Sequence, residues 1–442
     1  SLLVTGVRRV LFRSIDTPII IDVGTGYTKM GYATNSRPDF IIPTLIGNRD
    51  LKNVAQSQLT GTEDLDFYIG YEAIQNQTLY PNTNIMKHGQ IDDWDKIEQF
   101  WEQCLFKYLR CEPEDHPILL TEPPLNSPDN REYTAEIMFE TFNVPYLYIG
   151  MQAMLAIAAS WSNKSQKSLT GCVVDSGDGV THVIPVVEGY PISNAIQHVP
   201  VAGREMTLFI ADLLKDREPQ VPPEDRFITA RNIKERYCKV AKHPSQTFHM
   251  FDENREKYIE KYEGVSSKTG KKFQCEVGYE RFLAPEVWFS PELVSNEHTT
   301  PISVLIDRAI QLSPITNRMQ LYNNIVLSGG STTFKGLASR LQNDVQELVN
   351  ERLKENAERE SKRINRKIEA GKVDVHIVEH KRQQYAVWYG GAMLSQGGPA
   401  FLKNCHTKAH YDEVGPSIAR ASTIFGESAE IGRASCRERC RS

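Results

Sequence analysis

The 442-residue chain contains no G-x-x-x-x-G-K-[ST] segment and no G-x-G-x-x-G opening a helix. The first absence excludes a P-loop, the second a Rossmann-type dinucleotide site. Positive charge is not in excess: 51 Lys and Arg against 56 Asp and Glu leave a formal net charge of −5. That excludes nucleic-acid or anionic-membrane binding driven by bulk charge. Long hydrophobic runs are missing too. The most apolar stretch, residues 146–161, is too short and too interrupted to span a bilayer, and its Gln152 and small residues fit a buried helix. Cysteine is sparse, with eight residues, no C-x-x-C and no zinc spacing. Cys104, Cys111, Cys172, Cys238, Cys275 and Cys405 read as scattered thiols of a reducing compartment, so the cytosol is the expected location. The composition is otherwise that of a globular protein long enough for two or more domains.

The two ends read as foreign. Residues 8–14 and 430–439 resemble translated sequencing-library adapter, and there is no initiator Met. The expectation is a biological chain beginning near Ile15 and ending between Gly426 and Ala429, with residues 1–14 and 427–442 artefactual. Leaving out residues 1–14 and 430–442 takes the formal charge from −5 to −10.

What the chain does have is one short pattern twice. Asp22-Val23-Gly24-Thr25-Gly26-Tyr27-Thr28-Lys29 and Asp175-Ser176-Gly177-Asp178-Gly179-Val180-Thr181-His182 share the form D-x-G-x-G-x-T-basic. Each follows a β-branched run and leads into another, so each predicts a β-hairpin with a Gly-rich tip carrying an Asp. Glycine lets backbone N–H groups come close to an anion because no Cβ intervenes. One such tip is a common turn; two, about a domain length apart, predict a duplicated unit that grips a polyphosphate from both sides. Asp22 and Asp175 would then offer oxygen to a phosphate-bound Mg2+, directly or through water.

Between and beyond the tips, apolar spacing predicts helices over 92–109, 130–142, 204–214, 228–240 and 301–312, the second with Asn130 or Asp129 as N-cap. Residues 117–121 read as a buried strand, and 146–160 as a strand end running into an apolar helix. Residues 50–80 and 242–285 read as polar excursions. Asn324 to Thr332 predicts a strand feeding a Gly-Gly turn, with a helix from about Phe334. Alone this is a tight turn; beside the two hairpin tips it reads as a ribose- or anion-approaching geometry. Residues 341–370 begin with an apolar stripe and end almost wholly charged, with Gly371 as C-cap. They predict a solvated helix extension, or a contact arm for a partner.

These residues resemble the actin superfamily over nearly all of 18–426. Residues 22–29 and 175–182 look like its two phosphate motifs and 324–333 its adenosine motif. Residues 148–154 and 385–392 look like its two connecting helices. Within it, residues 108–116, 119–140, 277–283, 405–408 and the extra charged stretch 354–372 are most similar to the branch that works inside the actin-related protein 2/3 complex. The resemblance implies a two-lobed α/β fold of duplicated ribonuclease-H-like domains with two smaller inserted subdomains. The first lobe would take 15–46, 84–158 and 386–426, with 47–83 inserted; the second 159–201 and 297–385, with 202–296 inserted.

It also implies ATP or ADP with Mg2+ as ligands. Gly24, Thr25 and Gly26, with Gly177, Asp178 and Gly179, would grip the phosphates, and Lys29 would add a charge. Asp22 and Asp175 would hold hydrated Mg2+. Gln152 would orient the attacking water, with His182 and Asp175 beside it, and Lys234, Glu235, Gly329, Gly330 and Ser331 would surround the nucleoside. Gln384 departs from the pattern, standing where a basic residue usually touches the adenine side, and residues 80–88 vary around the His88-Gly89 signature. Implied partners are the other members of a seven-subunit actin-nucleating complex, including a second actin-related subunit, together with actin filaments and nucleation-promoting factors at the cell cortex. Any ATP hydrolysis would be slow and serve as a timer. The rival readings are a conventional polymerising actin, a small-molecule kinase of the sugar-kinase branch, for which no Asp base stands where Gln152 does, and a chaperone ATPase, for which a β-rich substrate domain is missing.

Overall fold

Ile19–Val23 and Tyr27–Tyr32 pair antiparallel, as do Gly171–Ser176 and Thr181–Val187. The hairpins predicted from the repeated pattern are therefore both present, in matching register: Asp22 faces Lys29, and Asp175 faces His182. The computed structural model describes residues 17–48, 67–77, 80–87, 89–161 and 168–420. The expected artefactual ends, His88 and most of the 50–80 excursion lie outside the described residues. The chain divides into two units, one within residues 1–169, 188–190 and 385–442, the other made of 170–187 and 191–384.

The first unit is built on a six-stranded sheet in the order His406–Thr407, Tyr146–Met151, Ile118–Glu122, Ile19–Val23, Tyr27–Tyr32, Phe40–Pro43. Ile19–Val23 runs parallel to Ile118–Glu122, which runs parallel to Tyr146–Met151. Parallel central strands are buried on both faces, and here Ile19, Ile20 and Ile21 are all fully buried. Ile19 and Ile21 pack with Phe100, Trp101 and Phe139. Ile20 points the other way, and the carbonyl of the same residue accepts a hydrogen bond from Trp388 Nε1 at 3.1 Å. Burying each such Ile contributes about 1.5–3 kcal/mol. The helices Gln152–Ser160 and Ala386–Ser395 meet at Gly390, where a Cβ would lie 1.8 Å from Leu155 O. A small three-stranded sheet of Phe67–Ile69, Leu45–Asn48 and Asn82–Asn84 stands beside the helix Gly70–Gln75.

The second unit repeats the plan. Gly171–Ser176 pairs antiparallel with Thr181–Val187 and parallel with Ile325–Ser328, which runs parallel to Ile377–Val378. Gln197–Val199 lies antiparallel along Thr181–Val187. The residues read as a polar excursion, 242–285, are largely regular. They contain the helices Pro244–Glu253 and Glu280–Glu286 and the hairpin Glu260–Val265/Lys272–Val277. Tyr262, Cys275 and Val277 of that hairpin pack on Ile210, Leu214 and Ile233, so order there comes from a tertiary core, which local polarity does not reveal. Burial pushes the thiols of Cys111 and Cys172 up, to about 11 and about 12, and all six described cysteines are free.

Several helix ends differ from the sequence expectation. The helix read over 130–142 starts at Pro128, capped by Ser127, whose Oγ accepts from Asn130 N at 3.1 Å. Proline is pre-organised for the first helical position, so the helix begins there and Ser127, as good a cap as Asn or Asp, takes the capping place. The helix after the Gly-Gly turn starts at Leu337, because Gly330–Thr333 forms a 3-10 turn first. It runs to Ile364 and ends at Asn365 with φ +53°, six residues before Gly371. Asn tolerates the left-handed conformation, and Ser361 Oγ accepts from Ile368 N at 2.8 Å to close the end. Leu341, Val345 and Val349 bury the first half of this helix. The second half carries exposed pairs such as Arg359–Glu355, which add little stability.

Replacing Gly390 with Ala should destabilise the chain by about 3 kcal/mol, because the new methyl meets helix backbone that cannot move aside. At Gly371 a Cβ meets nothing within 4 Å, so when both variants are compared with the parent by denaturant titration, Gly371→Ala should stay within about 0.5 kcal/mol of it.

Candidate functional site

In the first unit the hairpin tip begins where Ile19–Val23 ends. Gly24 N donates to Tyr27 O at 3.2 Å, and Thr44 N to Gly26 O at 3.1 Å. Asp22 is 2 % exposed, so its carboxylate must be matched. Lys29 Nζ, opposite it in register, donates to Oδ2 at 3.0 Å, and Thr121 Oγ1, from the neighbouring parallel strand, donates to Oδ1 at 2.7 Å. Thr121 was not legible in sequence; only the strand order brings it next to Asp22. Gly89 N donates to Thr25 Oγ1 at 3.0 Å and ties down the tip. A Cβ at Gly24 would lie 2.9 Å from Tyr27 O and 3.3 Å from Lys29 Nζ, so this glycine is required by close approach. Gln152 is the first residue of the helix Gln152–Ser160, half-buried, directly after Met151 at the end of its strand.

The second unit holds its tip by the carbonyls. Gly177 N donates to Val180 O at 3.2 Å, the bond equivalent to that of Gly24. Gly177 O accepts from Gly203 N at 3.1 Å and from Ser331 Oγ at 2.6 Å, and Asp178 O accepts from Arg204 N at 2.8 Å. Gly203 and Arg204 open the helix Gly203–Arg217, so the tip satisfies N–H groups that a helix start otherwise leaves unpaired. In a planar trans peptide the N–H points opposite to the C=O. With the carbonyls of Gly177 and Asp178 turned into the unit, the N–H groups of Asp178 and Gly179 point away from it. At Gly177 a Cβ would meet nothing within 4 Å and φ is not left-handed, so neither packing nor conformation demands this glycine.

Around that tip the structure gathers several of the expected residues. Lys234, 6 % exposed, donates from Nζ to Gly203 O at 2.7 Å, and burial lowers its pKa. Glu235, its neighbour, is exposed. Gly329, at φ +94°, lies so close to Ser176 that a Cβ would be 2.2 Å from Ser176 O, and only glycine fits. Gly330 is exposed, with Gln384 Cγ 3.9 Å from where its Cβ would be. Ser331 spends its hydroxyl on Gly177 O. Gln383, not singled out in sequence, donates from Nε2 to Thr332 O and to Thr332 Oγ1, both at 2.8 Å, while its carbonyl accepts from Gly329 N at 3.1 Å. It braces the Gly-Gly turn from below.

His182 is 4 % exposed. Its Nε2 lies 2.8 Å from Nδ1 of His198, its partner on Gln197–Val199. Burial, with a smaller contribution from His198, lowers the His182 pKa to about 3. The ring is therefore neutral near pH 7, and one of the two imidazoles donates to the other. His198 gave no signal in the sequence, because it lies in a segment without a motif.

Anion chemistry fits both tips: backbone N–H donors, an ammonium at Lys29 and a buried ammonium at Lys234. Mg2+ fits in a narrower sense. Among the described residues no group of three or more His, Cys, Asp or Glu could hold a metal ion, so an ion held by Asp22 or by Asp175 would need phosphate oxygens and water as its other ligands.

A family model described as Actin matches residues 15–262 and 225–423. The chain is similar to proteins named actin-related protein 3 from three organisms. It is 52 % identical over 411 residues to that of Dictyostelium discoideum, 50 % over 420 to that of Acanthamoeba castellanii, and 51 % over 413 to that of Drosophila melanogaster. Each match covers 92 % of this chain and 97 % of the relative. With the repeated hairpin units and a family match across most of its length, the chain belongs to the actin family.

Proposed function

We propose that this chain works as an actin-related protein 3, an ATP-binding subunit that helps to template a new branch on an actin filament within the actin-related protein 2/3 complex. What carries the reading is identity of about one half along 97 % of relatives that bear that name. The outward N–H groups of Asp178 and Gly179 support the nucleotide part of it. So does Gly177, a glycine for which the protein's own packing gives no reason.

In this reading the backbone N–H groups of Thr25 and Gly26 and of Asp178 and Gly179 bind phosphate oxygens, with Lys29 adding charge, while Gly24 and Gly177, whose own N–H groups are spent on Tyr27 O and Val180 O, leave room for the ligand. Lys234, Glu235, Gly329 and Gly330 border the nucleoside, and Ser331 acts by holding Gly177. Asp22 and Asp175 hold hydrated Mg2+, which would neutralise phosphate charge. Gln152 orients water, and His182 accepts or passes a proton. Nucleotide state biases the arrangement of two lobes, residues 15–46, 84–158 and 386–426 with 47–83 inserted, and 159–201 and 297–385 with 202–296 inserted, and so selects which surfaces meet neighbours. Partners would include a second actin-related subunit, actin filaments and nucleation-promoting factors, in the cytoplasm at the cortex. Hydrolysis, slow, would act as a timer.

Affinity capture of the chain from native extract should recover six other subunits in equal amounts. Polymerisation of the purified chain alone would instead favour a conventional actin, and ATP turnover stimulated by a small hydroxyl acceptor would favour a kinase. Two glycines separate ligand from packing. Gly177→Ala should leave the nucleotide-free melting temperature unchanged yet weaken ATP binding about tenfold, about 1.4 kcal/mol. Gly329→Ala should lower the melting temperature itself, costing about 3 kcal/mol or more through the clash with Ser176 O and the left-handed backbone. Equal stability losses in both would remove the case for a ligand at Gly177.

A further inference from the structure

His182 and His198 form a side-chain pair that leads from the second hairpin to an exposed ring. They face each other across Thr181–Val187 and Gln197–Val199, with ring centroids 4.8 Å apart and Nε2 of His182 at 2.8 Å from Nδ1 of His198. His182 also faces Asp175 across the hairpin, and Asp175 begins the phosphate-gripping pattern. His182 is sealed from solvent, whereas His198 is exposed.

We propose that His198 is the outer half of a two-imidazole proton wire, carrying away through His182 the proton lost by the water that attacks the terminal phosphate. This rests on the reading above, in which ATP is cleaved beside His182. The O–H bond of the attacking water breaks as its oxygen bonds phosphorus, and its proton goes to Nδ1 of His182. The proton on Nε2 of His182 passes to Nδ1 of His198, and the proton on Nε2 of His198 leaves to solvent water. Each ring gains one proton and loses one, so neither becomes an imidazolium, and charge is conserved with no further reactant. A ring this deeply buried has little contact with bulk solvent to which it can pass a proton. Its hydrogen-bonded neighbour supplies the exit, and the 2.8 Å separation is that of a transfer-competent hydrogen bond. His198 acts through His182 and does not touch the nucleotide. Positioning alone would need an acceptor or donor at that place; a wire needs a group that does both at once, as imidazole does.

The test uses the full-length chain purified with its native partners. In single-turnover cleavage of ATP labelled in its terminal phosphate, His198→Ala should slow the step about tenfold, at the modest end of general acid–base effects, while ATP affinity stays within about twofold. Added imidazole should restore the rate. His198→Gln keeps a hydrogen-bonding group beside His182 but cannot relay, so it should be as slow as His198→Ala. In the nucleotide-free chain, nitrogen-resolved NMR should find an exchange-protected imidazole N–H that is lost in both His198→Ala and His182→Gln. A His198→Gln chain as fast as the parent would overturn the wire and leave His198 as a positioning residue, and so would a slow His198→Ala chain that imidazole does not rescue. A parent chain that binds ATP without cleaving it sinks the wire alone; one that binds no ATP sinks the nucleotide reading as well.

Discussion

One carbonyl organises the second unit's site. Gly177 O takes hydrogen bonds from Gly203 N and Ser331 Oγ, and so joins a hairpin tip, the start of a 15-residue helix and the Gly-Gly turn. Because a peptide is planar, turning this oxygen inward turns the next N–H outward. The outward-facing donors are thus a consequence of how the unit is packed. Lys234 reinforces the arrangement by donating to Gly203 O. A Cβ on Gly203 would lie 2.5 Å from Ser331 Oγ and 3.1 Å from Lys234 Nζ, so the junction has no spare room.

The first unit reaches a similar end by different means. Its tip is steadied through Thr25 Oγ1 and Gly26 O rather than through a helix start. Its acidic residue is satisfied by Lys29 and Thr121. The repeated pattern therefore specifies a shared hairpin with an Asp facing a basic residue, while the surroundings of each copy are individual. In the second copy the basic position is a histidine, too deeply buried to hold a charge near neutral pH. The same position of the pattern thus carries a lysine in the first copy and a neutral imidazole in the second, two side chains of different chemistry.

Much of the fold was legible because strand and turn signals are local. Ile19-Ile20-Ile21 before Asp22, and Cys172-Val173-Val174 before Asp175, declare buried strands, and the glycines declare the tips. The helix over 226–237 ends at Tyr237 rather than Val240, and the hairpin within 242–285 escaped notice. In both cases the deciding contacts come from residues distant in sequence. The Asn365 cap outcompeted Gly371 because Ser361 and Ile368 close the helix there.

By itself, the sequence determined the paired D-x-G-x-G-x-T hairpins, the glycines at their tips and the apolar strands that carry them, since backbone freedom and side-chain alternation are properties of neighbouring residues. Tertiary structure alone decided that Thr121 would share the Asp22 carboxylate, that Gln383 would brace the Gly329 turn, that Ser331 would serve Gly177, and that His198 would meet His182. Those partners are set by strand order and by elements up to 154 residues apart, and a hydrogen bond across such a separation leaves no periodic trace in the chain.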